Sequence, residues 1–275
     1  MNRNSPRLDR LSVLLDGLSA SVAILHAGPL VHPLTPAGDP RSHLYLHLLL
    51  SGEAKCRLPG GERRLASPSA MVLHSDLAHT VVAAAGTPEL LSARIRFDGP
   101  SGGAFHAAFG DPVELPLNGA TDDATHLLAL IGSELRSPRC GHRNLLTHAV
   151  DMLLISLLRH IIARPGSGAG LLAALADPRI ARAVVAMNEN VAQRWNLESL
   201  AATAGMSRTA FAAAFRERMG ATPGRYLAGL RLAVAEQAVV AGHGLKRAAQ
   251  ASGYASPAAL SRALSRRRRR PPTPG

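Results

Sequence analysis

At 275 residues the chain is long enough for two domains, each burying its own core. Its formal charge of +12 is lopsided: residues 177–275 hold sixteen Lys/Arg against five Asp/Glu, residues 1–176 fifteen against fourteen. This is the balance of a polyanion-binding module joined to a neutral one. The two cysteines, Cys56 and Cys140, form neither a metal-ligand pairing nor a disulfide framework, and Arg10 and Asp16 break any signal-peptide core, so a cytoplasmic protein is expected.

From Leu8 to about Leu115 the chain reads as short extended segments. "HLYLHLLLSGEAKCRL" and "AMVLHSDLAHTVVAAA" are strand-like, and "LPGGERR" carries a Gly-Gly hairpin signal. Many short strands without long helices between them imply a sandwich or small barrel. Helices follow at Asp122–Arg136 and His142–Ala163. In the second, Leu146, Val150, Leu153, Leu157 and Ile161 draw one apolar stripe. The stripe wants a partner, either the chain's own core or the same helix of a second subunit. Its length suits a bilayer, but His148, Asp151, Arg159 and His160 within it argue against a membrane span.

"RPGSGAG" has the composition of a flexible linker and sets the domain boundary. The expected division is 1–116 for the strand domain, 117–164 for the helical pair, 165–176 for the linker and 177–275 for the basic domain. Asp177 and Pro178 read as N-cap and first helical residue, opening a helix with Ile180, Val184, Met187 and Val191 on one face. Leu197–Ala204 is the next helix; Gly205 ends it and Ser207 caps another that turns Phe211 and Phe215 inward. Two helices joined by so short a Gly-containing turn form a helix-turn-helix. After a helix from Thr222 to about Ala241 the layout recurs, with Gly253, Ser256, Leu260 and Leu264 standing where Gly205, Ser207, Phe211 and Phe215 stood. The second turn is one residue longer.

The residues "LESLAATAGMSRTAFAAAFRERMGATPGRYLAGLRLAVAEQ" and "AAQASGYASPAALSRAL" strongly resemble the DNA-binding domain of the AraC/XylS family of bacterial transcription regulators over about residues 177–265. The front of the chain, through "LYLHLLLSGEAKCRL" and "AMVLHSDLAHT", resembles the cupin-type sensor that many such regulators carry. The resemblance implies an α+β chain: a cupin-like β-barrel with two following helices, then an all-α double helix-turn-helix. It further implies double-stranded DNA, a small-molecule effector and RNA polymerase as partners, with a homodimer possible through the helical pair. At the far end, Leu260 and Leu264 stand where the family places aromatic residues, and "RRRRRPPTPG" stands where a closing helix is usual. The second unit is therefore expected to be less well covered than the first.

Carried over residue by residue, the base-facing positions are Thr209, Ala212 and Ala213 in the first unit and Pro257, Ala258 and Arg262 in the second. Ser207 and Ser256 cap the two recognition helices at the DNA surface. Arg208, Arg216, Arg218 and Arg266, with the run to Arg270, are expected at phosphates. Among the base-facing positions only Arg262 has the fork for bidentate guanine readout. In the front domain, Tyr45, His47 and His79 are the candidate effector-binding residues.

The alternative of another class is a cupin metalloenzyme or small-molecule binder with a degenerate basic domain. A catalytic barrel metal needs converging histidines, and His43 and His47 lie roughly 13 Å apart along an extended strand. His47 and His79 remain a possible pair, with Glu53 as carboxylate. No spacing selects a nucleophile with its base, so no catalytic residue, metal or cofactor is assigned.

Overall fold

The computed structural model describes residues 9–37, 43–107, 109, 112–118, 122–163 and 169–269. In chain order its elements are α1 (Ser12–Asp16), β1 (Ala20–Pro29), β2 (His43–Leu58), β3 (Gly61–Ala66), β4 (Ser69–His74), β5 (Thr80–Phe97), α2 (Gly102–Ala107) and β6 (Val113–Pro116). Among the described residues these helices follow: α3 (Asp122–Arg136), α4 (His142–Ala163), α5 (Leu171–Ala176), α6 (Pro178–Glu189), α7 (Leu197–Ala204), α8 (Arg208–Met219), α9 (Pro223–Val240), α10 (Leu245–Ser252) and α11 (Pro257–Arg269). They form two compact units, one of residues 20–97 and 109–161, the other of residues 1–19, 98–108 and 162–275.

The first unit is an antiparallel sheet in the order β1-β5-β2-β4-β6, with β3 added to β2. Its two long strands, β2 and β5, pair along their length except at register shifts between Leu49 and Ala54, where bulges bend them. One strand thus serves both halves of a curved sheet. The β2–β3 hairpin closes at the Leu58 and Gly61 pair, as "LPGG" implies. Along β2 the period of two puts His43, Tyr45, His47 and Leu49 on one face and Leu44, Leu46 and Leu48 on the other. Both faces are buried, so the run carries no exposed polar alternation.

In α4 the residues Leu146, Val150, Leu153 and Leu157 are buried by this chain itself. The stripe is core; it is not an open intersubunit seam. Its exposed face lies elsewhere: Leu130 of α3 is 40% exposed and Met152 of α4 56%. With Leu127 and Ile155, and with Asp123, His126 and Arg159 also lining it, they form a groove of about 440 Å³. By length and composition α4 is long and apolar enough to cross a membrane, but Leu146, Ala149, Val150, Leu153, Leu154, Leu157 and Leu158 are buried within the chain, as in a core helix.

The helical unit begins earlier than the expected boundary. Residues 171–176, read as linker, form α5, and Leu171, Leu172, Ala174 and Leu175 are buried. Residues 165–168 of the linker, and residue 164 before it, lie outside the described residues. Two stretches read as extended, α1 and α2, also belong here. Arg10 donates from Nη1 to Leu175 O at 3.1 Å, and Gln237 of α9 donates to Asp98 O. Ser101 donates to Asn188 Oδ1 at 2.7 Å, while Asn188 Nδ2 donates to Tyr226 Oη at 2.9 Å and to Val184 O at 2.8 Å. Burial raises the Tyr226 pKa to about 12, against the lowering effect of the Asn188 bond.

Candidate functional site

The first helix-turn-helix is built from local chemistry. Asn196 accepts from Ser199 N at 2.7 Å and Asn196 N donates to Ser199 Oγ at 3.1 Å, a reciprocal cap that starts α7. Gly205 ends α7 at φ 67°, a left-handed conformation that costs most residues about 1–2 kcal/mol. Ser207 then accepts from Ala210 N at 3.3 Å and starts α8. Phe211 and Phe215 are fully buried with ring centroids 5.5 Å apart, and Phe215 meets Tyr226 of α9 at 6.1 Å. Truncating either Phe to Ala would cost about 3–5 kcal/mol, since each ring is fully buried and its removal leaves a cavity.

Inward anchoring of α8 leaves its other face bare. Ser207, Arg208, Thr209, Ala213, Arg216 and Arg218 are exposed and Ala212 is half-buried. Arg208, Thr209 and Ala212 line a shallow groove of about 550 Å³ with Asn196, Leu197 and Glu198 of the preceding helix. The second unit repeats the plan: Gly253 ends α10 at φ 74°, and Ser256 accepts from Ala259 N at 3.1 Å. Leu260 is fully buried and Leu264 half-buried in a small cluster with Ala235, Ala248 and Ala249. Leu thus fills the inward slot. Pro257, Ala258, Arg262 and Arg266 are exposed and Ser256 is half-buried. Arg267 is engaged with Glu236 of α9 at 3.2 Å, and Arg270 lies outside the described residues. Lys246 and Arg247, which the sequence reading passed over, stand exposed at the start of α10 and add to the basic surface.

In the sheet unit Tyr45, His47 and His79 come together. Tyr45 is edge-on to His43 at 4.6 Å and to His79 at 4.9 Å, and its hydroxyl donates to Ala37 O at 3.0 Å. His47 Nε2 and His79 Nε2 are 2.8 Å apart; His79 Nδ1 lies 2.8 Å from Leu77 O, and His47 Nδ1 lies 2.8 Å from Ser92 Oγ. Burial lowers the His47 pKa to about 3, with the neighbouring His79 acting in the same direction. His79 is lowered too, again by burial, against the raising effect of the Leu77 carbonyl.

Two neutral rings have one consistent arrangement of protons. A carbonyl only accepts, so His79 Nδ1 carries hydrogen and donates to Leu77 O. His79 Nε2 must then accept from His47 Nε2–H, and His47 Nδ1 accepts from the Ser92 hydroxyl. Ser92 was missed in the sequence because its link to His47 exists only through the β2–β5 register. Glu53 is exposed and does not join the pair. Among the described residues no group of three or more His, Cys, Asp or Glu is arranged to hold a metal ion.

Residues 9–163 match the family model described as Cupin, and residues 200–274 the one described as a helix-turn-helix domain. An AraC-like transcription regulator of Streptomyces lividans is 33% identical over 141 residues, 50% of this chain and 46% of that protein. The RCS-specific HTH-type transcriptional activator RclR of Escherichia coli (strain K12) is 30% identical over 202 residues, 70% of this chain and 69% of that one. Among solved structures, the DNA-binding domain of AdpA, a global transcriptional factor in complex with a target DNA, aligns at 30% identity over 31% of this chain and 78% of that chain, with a TM-score of 0.30. The chain spans about half the length of curated relatives such as the Streptomyces protein. The cupin match covers more than half of this chain and the RclR match extends across both of its parts, so the chain belongs to the AraC-type helix-turn-helix transcription regulators with an N-terminal cupin domain.

Proposed function

We propose that this chain binds duplex DNA through its two helix-turn-helix units and regulates transcription in the cytoplasm in response to a small effector held by the sheet unit. The observation that carries this reading is the pairing of two capped recognition helices, α8 and α11, whose outer faces are exposed and basic while their inner faces are anchored. In this reading Thr209, Ala212 and Ala213 meet one stretch of base edges and Pro257, Ala258 and Arg262 another. Arg208, Arg216, Arg218 and Arg266 meet phosphates beside the capping residues Ser207 and Ser256. Tyr45, His47 and His79 form the effector wall. The named relatives are transcription regulators, which supports regulation over catalysis.

The same proposal includes RNA polymerase as a partner and a homodimer. The dimer contact belongs on the open α3–α4 groove, where Leu130 and Met152 expose apolar surface beside the Asp123–Arg159 ion pair, an apolar patch that a twofold-related copy would cover. Selection of fragments bound by the full chain from genomic DNA tests the core of the reading. A single enriched sequence class is expected. Recovery of fragments with no shared sequence would reduce the basic unit to a general polyanion binder.

A further inference from the structure

Residues 190–196 join α6 to α7, directly ahead of the first helix-turn-helix. The loop is stiff by its own bonds: Gln193 N donates to Asn190 O at 3.1 Å, Trp195 N to Gln193 O at 2.9 Å, and Trp195 Nε1 to Asn190 O at 2.9 Å. Its last residue, Asn196, is locked into the α7 cap. Two other elements grip the same loop. From α9 the Arg231 guanidinium donates through Nε to Val191 O at 3.0 Å and through Nη2 to Gln193 O at 2.6 Å. From the second helix-turn-helix, the turn residue Gly253 comes so close to Ala192 that a β-carbon would stand 2.8 Å from Ala192 Cα and 2.9 Å from Ala192 O.

One short segment therefore touches the leading helix of the first reader, the helix bridging the readers and the turn of the second. A bridging helix alone fixes the readers only through their own packing on it. The loop adds a third side to that frame. We propose that residues 191–193, held by Arg231 and seated against Gly253, are the spacer that sets the separation and rotation between the two DNA-reading helices; this rests on the DNA-binding reading above. Arg231 is then a positioning residue for spacing specificity. The planar fork of arginine can serve two carbonyls at once, which a lysine ammonium on its flexible stem does less well. When two readers bind one duplex, the second engages at an effective concentration that is high only if the pair is preset to the span. A looser pair binds more weakly and discriminates spacing less.

The test uses the full chain and the duplex it selects, together with variants in which the two halves of the site are moved together or apart by one and two base pairs, and duplexes carrying one half alone. Wild type should lose roughly tenfold in affinity for each displaced spacing, through lost two-headed engagement. Arg231→Ala should bind the native spacing roughly tenfold more weakly and the displaced ones about equally, giving a flat profile, while half-site affinity and melting temperature stay near wild type. Arg231→Lys should recover part of the optimum. A sharp spacing optimum in Arg231→Ala overturns the proposal, as does parallel loss of half-site binding and thermal stability, which would make Arg231 a general structural residue. Wild-type protein that selects a duplex but tolerates every spacing overturns the spacer alone. Wild-type protein that selects no duplex overturns the DNA reading and the spacer with it.

Discussion

Two buried rings at His47 and His79 make the sheet unit sensitive to acid in a direction that can be worked out. Well above pH 6.5, by about pH 8, both histidines are neutral folded or unfolded, and the pair contributes almost no pH dependence. As pH falls below 6.5 the unfolded chain takes up protons that the folded core refuses until about pH 3 at His47, so stability drops by up to about 1.4 kcal/mol per pH unit for that ring alone. His79 adds in the same sense. Urea midpoints should decline from pH 7.5 to pH 5 in wild type and decline less in His47→Gln; parallel curves would show that the pair is not the source. On the basic unit, Arg262→Ala should cost about 1–3 kcal/mol on the selected duplex and relax preference at one guanine, whereas Arg266→Ala should weaken selected and scrambled duplexes alike. Equal losses from Arg262→Ala on both duplexes would move that side chain to a phosphate.

The elements that sequence revealed most completely are those whose determinants are local. Gly205, Ser207, Phe211 and Phe215 lie within eleven residues of one another, and each acts on its own helix or turn. The stripe of α4 was visible for the same reason, but which surface covers it is a long-range fact that periodicity does not contain. Its burial changes the expected behaviour of two neighbouring substitutions. Leu153→Asp places a charge in a fully buried position and should unfold the sheet unit, not merely split a dimer. Met152→Asp, on the open face, should leave the melting temperature nearly unchanged and abolish self-association in sedimentation. A Met152→Asp chain that remains dimeric would remove the α3–α4 groove as the contact. The short helix α5 hid inside "GLLAALA" because the glycine-rich stretch before it set the composition of the whole window.

Across the whole molecule, the uneven charge was legible from counting alone, while the way the chain divides was not. Residues 98–108 follow β5 in sequence but cluster with helices lying more than sixty residues further on, through bonds such as Ser101 to Asn188 that no local pattern announces. A fragment of residues 169–275 therefore lacks cover that the full chain supplies around Asn188, Leu175 and Gln237. It should melt lower than the same helices do within the full chain, by about 4–8 °C for each kcal/mol of lost contact; equal melting would show that the cover is energetically idle. Ser101 and α1 also bear on how such proteins can be recombined. If the front of this chain were exchanged for that of a relative at residues 164–168, the crossover would look clean in sequence, yet it would import a foreign surface against α5, α6 and α9. Inheritance by swapping whole front halves is then constrained: an incoming front must match the helices in two short stretches that have no part in forming its own sheet.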